Sequence, residues 1–273
     1  MNRIIFALVA SAAMSAALTT ARAADLEAAA PHGLFGSLMG SYTLKANEDW
    51  QIFPDGYFGP DPLDEAGLGD GGLFRGLIGY RWSNWDAAVG LQYGKFSSGD
   101  PSDPLEPTGN LSARMWALDA QLGYNTMMGD AALRLAGGLR YADWNNDVDA
   151  YGDRINHDFS GLGPMLRADL SKPFGDRTTL ETGAGVGVLF GKIKTNATSG
   201  WNCADCTNDN TTALVLEGNL GLGFNLGAAR AVAGWQAQWW DGVNVNYTDI
   251  SGAGDNDGKS GHLLTGPYLE VKF

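Results

Sequence analysis

Few residues in this chain are equipped for chemistry. Cys203 and Cys206 stand in "WNCADC" and are the only cysteines. A Cys-x-x-Cys pair serves as a redox couple or as half of a metal site, and neither reading is strengthened here by a second pair. The histidines are His32, His157 and His262. His157 neighbours Asp158, but adjacent residues of a strand point to opposite faces, so the two form no dyad. His262 could meet a carboxylate at the end of its segment. No nucleophile, base and orienting group can be assembled from these residues, and a non-enzyme is expected. Acidic clusters occur in "DGYFGPDPLDEAGLGD", "NNDVDAYGD" and "GAGDNDG". Carboxylates with glycine suit hard divalent cations. None has the spacing of a calcium loop, so no metal site is expected, and a solvated acidic rim is the plainer reading.

The remaining candidates are charges embedded in apolar segments. The cations are Arg75, Arg81, Arg134, Arg140 and Arg167. The acids are Asp86, Asp119, Asp169, Glu181, Glu217 and Glu270, with Gln92, Gln121, Gln236 and Gln238 beside them. Each falls on the opposite parity to a run of large apolar residues. In "LRLAGGLRY", Leu133, Leu135, Leu139 and Tyr141 oppose Arg134 and Arg140. In "MWALDAQLGY", Trp116, Leu118 and Leu122 oppose Asp119 and Gln121. "LVLEGNLGLGFNL" sets Leu214, Leu216, Leu220 and Leu222 against Glu217 and Asn219. Period-two alternation of this kind is a strand signal.

Such segments recur at 33–44, 71–82, 85–96, 111–124, 131–143, 158–171, 178–191, 212–226, 230–240 and 262–273. They predict about ten strands, with 8–12 allowed, and no helical period persists among them. Four connections are tight: "SN", "NTMMGD", "KPFGDR" and "GAA". Five are long: 45–70, 97–110, 144–157, 192–211 and 241–261. Short and long alternate without a break. A two-layer sandwich has no reason to keep that order. A closed antiparallel transmembrane β-barrel does, with short periplasmic turns and long outer loops. Aromatics mark both strand ends, as interfacial girdles would. Trp82, Trp85, Tyr124, Phe174 and Phe224 lie beside the short turns. Tyr42, Tyr141, Trp144, Phe190, Trp239 and Trp240 lie toward the long connections. The final "GPYLEVKF" then places Leu269, Val271 and Phe273 against lipid.

Composition agrees. Residues 1–23 have Arg3, an apolar run and an Ala-x-Ala ending at Ala23, the layout of a cleaved secretory signal peptide. Residues 24–273 form the expected barrel. Beyond the signal no run is apolar and long enough for a membrane helix. Export to an oxidising compartment favours a Cys203–Cys206 disulfide with a small, local effect on stability. Net charge is −13, which argues against nucleic acid and anionic surfaces as direct partners. The long connections hold 19 of the 31 Asp and Glu. Divalent ions held there could bridge to lipopolysaccharide phosphates.

A final strand ending on an aromatic resembles the assembly signal of bacterial outer-membrane barrels, which would make Phe273 a contact for the assembly machinery. A narrower resemblance lies within 130–192, in "LRLAGGLRYADW", "FSGLGPMLRADLSKPFG" and "ETGAGVGVLFGK". It rests on Gly138, Leu139, Arg140 and Tyr141, on Phe159, Gly161, Gly163 and Pro164, and on Gly187, Leu189, Phe190 and Gly191. These resemble the Legionella-type major outer membrane protein family, whose members are described as pore-forming. The family often has a basic residue directly after the Gly-Pro pair, where this chain has Met165, with Arg167 two positions on. The resemblance implies a bacterial outer-membrane location and no cofactor. The expected function is passive diffusion of small solutes through a narrow charged lumen. The alternative is a non-conducting structural or adhesive surface barrel. A protease or lipid A hydrolase is a more distant third. The same charges serve either a filtering pore or a filled, cross-paired interior, since ten strands lie close to the eight-stranded barrels that side chains can fill. Loop 45–70 could fold into the lumen as a plug.

Overall fold

The computed structural model describes residues 32–47, 70–98, 110–150, 153–175, 177–198, 208–245 and 259–273. The expected signal peptide, the Cys203–Cys206 pair and most of loop 45–70 lie outside these residues.

Alternating sequence becomes strand throughout. The elements are β1 (His32–Thr43), β2 (Lys45–Asn47), β3 (Gly71–Trp82), β4 (Trp85–Ser98) and β5 (Asn110–Met128). They continue as β6 (Ala131–Ala150), β7 (Asp153–Pro173), β8 (Thr178–Thr198), β9 (Asn208–Asn225), β10 (Arg230–Val245) and β11 (Lys259–Lys272). β1 pairs antiparallel with β3, each strand from β3 to β10 pairs antiparallel with the next, and β11 pairs with both β1 and β2, which closes the sheet into a barrel. β1 and β2 are one strand interrupted at Leu44. The register against β11 runs Ser41 to Tyr268, then Lys45 to Thr265, a one-residue bulge. The barrel therefore has the ten strands expected, and no described residue is helical.

Turn chemistry matches the tight reversals. Ser83 takes a φ of 55° in the two-residue "SN" hairpin, where such a turn demands positive φ. Gly129 and Gly227 supply positive φ at two other reversals. The chain ends by bonding back to the first strand: Phe273 and Gly36 exchange backbone hydrogen bonds of 2.8 and 2.9 Å.

The strands are longer than the alternation suggested. β6 and β7 leave two residues between them, so the long connection expected over 144–157 is not there. The connections expected over 192–211 and 241–261 are shortened in the same way, and β5 absorbs most of "NTMMGD". A bilayer needs only about ten residues of a tilted strand. Beyond the bilayer the outer face is wet, so polar residues such as Asn145 and Lys194 occupy the outer parity while the inner face stays packed and the backbone ladder continues.

The two faces separate as the parity rule requires. Leu118, Leu122, Leu135, Leu139, Leu166 and Leu220 are exposed on the outer surface. Leu269 and Phe273 join them on the closing strand. Asp86, Asp119, Arg140, Glu181 and Glu217 are buried inside. An exposed apolar band on the convex face, with charges on the concave one, inverts the arrangement of a soluble core.

Candidate functional site

Inward-pointing positions of the ten strands bring the predicted charges into one network. Its hub is Glu217 on β9. Arg140 on β6 donates from Nη1 to Glu217 Oε1 at 2.5 Å, and binds Asp119 on β5 through Nε and Nη2 at 2.7 and 2.8 Å. Arg167 on β7 donates to Glu217 Oε2 at 3.2 Å and to Asp169 at 2.8 Å. Arg75 on β3 reaches Glu217 at 3.4 Å and lies 3.7 Å from Asp119. Three guanidinium groups thus share two carboxylates across the middle of the barrel. Bidentate contacts of this type are the strongest protein ion pairs and fix orientation as well as charge.

A second cluster lies toward the short turns. Arg134 on β6 binds Asp86 on β4 at 2.8 Å, with Asp169 at 3.6 Å. Asn125 donates to Asp86 at 2.7 Å. Glu181 on β8 accepts from Arg230 on β10, Lys272 on β11 and Ser171 on β7, at 2.8, 2.8 and 2.7 Å. Glu270 lies 3.9 Å from Lys272. Arg81 stacks on Phe35, with its guanidinium carbon 5.1 Å from the ring centroid. All eleven charges assigned to the inner face lie there. Asn219, read as inward with Glu217, accepts from Arg167 at 3.1 Å, and Arg230, Lys272 and Asn125 complete the network from the inward parity of their strands.

Exposure grades along the axis. Side chains at the centre are closed off, Arg140 at 2% and Glu217 at 4%. Toward the short turns, Asp169 is 30% and Lys272 32% exposed. The short-turn end is the more open at Asp169 and Lys272, while Asp86 and Glu181 there are as closed off as the centre.

Toward the other end the described inward side chains are buried and largely apolar. Trp144 and Trp240, expected on the outer girdle, point inward and are fully buried. They pack edge to face with centroids 5.6 Å apart, and Trp144 stacks on Phe96 and on His262. Phe159, Leu189, Ile193 and Leu264 belong to the same buried apolar cluster. Parity explains the reversal: Trp144 aligns with Arg140 and Ala142, and Trp240 with Gln236 and Gln238. Trp239 next to it does face outward. A glutamine chain joins this layer to the charges. Gln92 donates to Gln238 at 2.7 Å, Gln238 to Gln236 at 3.2 Å, and Trp240 Nε1 to Gln238 at 3.2 Å. Arg140 lies under Trp240, 5.7 Å from its ring centroid.

His157 is buried within the same end, its Nδ1 2.9 Å from Thr195 Oγ1, while Asp158 faces outward. His262 meets Trp144 and, at 3.5 Å, Asn146. Among the described residues no group of three His, Cys, Asp or Glu converges as a metal site would.

Glycine permits the closest strand contacts. A Cβ at Gly138 would collide with the carbonyl of Ala120, and one at Gly163 with that of Val188. Both belong to the glycine-rich stretches that carried the family resemblance.

Residues 78–273 match the family described as the Legionella pneumophila major outer membrane protein precursor. No curated protein matches the chain. Among solved structures, the translocator domain of the autotransporter NalP from Neisseria meningitidis is similar at 13% identity. That match covers 89% of this chain and 87% of that one, with a TM-score of 0.43. The outer membrane protease OmpT from Escherichia coli is similar at 9% identity, over 89% and 94% of the two chains, with a TM-score of 0.44. The beta domain of the Bordetella autotransporter BrkA is similar at 13% identity, over 89% and 98%, with a TM-score of 0.42.

Proposed function

We propose that this chain, which belongs to the Legionella pneumophila major outer membrane protein family, is a narrow porin-like barrel of the bacterial outer membrane that rests closed. Small solutes enter a hydrated vestibule at the short-turn end, the periplasmic side in this reading. They pass a belt of paired charges and cross only when the apolar layer around Trp144 and Trp240 moves aside. The belt supports this reading most directly. Arg75, Arg140 and Arg167 converge on Asp119 and Glu217 from different walls. Facing charges of opposite sign set a transverse field that filters solutes by size and charge. The reading assigns no covalent step and no cofactor, because the interior carboxylates are occupied by guanidinium and ammonium groups.

The same orientation places the acidic connections outside, where divalent ions would bridge them to lipopolysaccharide. Phe273 would serve the assembly machinery. A second reading, a non-conducting structural or adhesive barrel, is favoured by one observation: the apolar layer is closed to water. Swelling of protein-loaded liposomes in small sugars and amino acids separates the two. Slow swelling that falls steeply with solute size supports a narrow pore. No swelling above protein-free liposomes, with the protein shown to be folded, favours the structural barrel.

A further inference from the structure

The outer face carries charge in one place where a lipid-facing surface should not. Lys95 on β4 lies directly opposite Arg114 on β5, and the same row continues through Asn145 on β6 and Asp158 on β7 to Lys194 on β8. One row nearer the membrane centre runs Tyr93, Trp116, Asp143, Ser160 and Lys192. Lys95, Arg114, Lys192 and Lys194 are all exposed and point away from the barrel.

Their depth is set by the aromatics beneath them. Trp116 and Tyr141 pack with centroids 5.1 Å apart on the outer surface. Such rings sit at the boundary between hydrocarbon and headgroups. Lys192 stands level with Trp116, and Lys95, Arg114 and Lys194 stand two residues above it, about 7 Å at strand spacing. Flexible stems carry their charged ends to headgroup level.

The cations are also undercompensated. Like charges directly opposite each other on neighbouring strands repel, and Lys95 faces Arg114 with no carboxylate between them. Among the described residues no ion pair involves Lys95, Lys192 or Lys194, and Arg114 is 55% exposed with Asp147 3.7 Å away. Asp143, Asp147 and Asp158 are the acids of the patch, three against four cations. Elsewhere at this end the described outward charges are acidic, Asp70 and Asp241. Among the described residues of this end, the exposed cations of a chain of net charge −13 fall on the β4–β8 sector, at the depth of lipid headgroups.

We propose that Lys95, Arg114, Lys192 and Lys194 bind the phosphate groups of a glycolipid in the outer leaflet, directly and without a bridging metal. The proposal needs the barrel in its membrane but not the pore. Native mass spectrometry of the detergent-solubilised barrel, titrated with bisphosphorylated lipid A, tests it. The set Lys95→Gln, Arg114→Gln, Lys192→Gln and Lys194→Gln should weaken binding at least about tenfold, since each basic residue near a charged surface contributes measurably. The charge-preserving set Lys95→Arg, Arg114→Lys, Lys192→Arg and Lys194→Arg should bind as wild type does. Dephosphorylated lipid A should bind wild type only as weakly as the glutamine set binds the phosphorylated form. Raised salt should weaken wild-type binding. Equal affinity of wild type and the glutamine set overturns the proposal. So does equal affinity for the dephosphorylated lipid. Displacement by inorganic phosphate at the concentration where the lipid itself binds would assign the row to free phosphate and overturn the lipid assignment.

Discussion

Arg140 and Glu217 stand 77 residues apart in sequence and meet at 2.5 Å inside the barrel. Two whole strands, β7 and β8, separate them along the sheet. The contact therefore spans the lumen rather than following the wall, and it braces β6 against β9. Arg75 and Arg167 reach the same carboxylate from β3 and β7. The interior is cross-linked by charge where a soluble protein would use hydrocarbon.

Replacing Glu217 with Gln leaves three buried guanidinium groups short of one carboxylate. Breaking a buried ion pair from one side costs about 3–5 kcal/mol. Urea unfolding of the vesicle-reconstituted barrel, followed by tryptophan fluorescence, should show a loss of that order. A change below about 1 kcal/mol, the level of a surface pair, would mean that the belt is hydrated enough to dispense with pairing.

Leu139 lies on the same strand as Arg140 but on the exposed face. Leu139→Arg should cost about 2–4 kcal/mol, as a cation near the bilayer midplane does on a barrel exterior. The same unfolding assay checks it. A neutral result would place this band outside hydrocarbon.

Parity made most of this legible. The inner and outer faces follow from alternation alone, which is why all eleven predicted charges lie inside. Alternation also places Trp144 and Trp240 on the inner face, against the outward position that aromatic type at a strand end suggests. Residue type says that a tryptophan favours an interface, whereas parity says which side of the wall it is on. Strand length is not legible past the bilayer, because the ladder of β6 and β7 runs on where the outer face no longer needs to be apolar. The pairing of Glu181 with Arg230 and Lys272 was also hidden, since it depends on which strands meet across the lumen.

Gly163 faces inward against the backbone of Val188. Gly163→Val should force β7 from β8 and destabilise the barrel by about 1–3 kcal/mol or more, as overpacking does. Gly218→Ala is the control, because a Cβ there meets nothing within 4 Å. Comparing the two in the same unfolding assay should show a clear loss for the first and little for the second. Equal behaviour would remove the close approach as the reason for glycine.

The central claim is a narrow lumen sealed by the layer around Trp144 and Trp240, and single-channel recording in planar bilayers tests it most directly. The wild-type barrel should give rare, small conductance steps. The Trp144→Ala, Trp240→Ala variant should open more often and to larger steps, with ion selectivity that shifts on neutralising Arg134. Large, steady wild-type currents unchanged by the double substitution would contradict the seal, and silence from both folded proteins would contradict the pore.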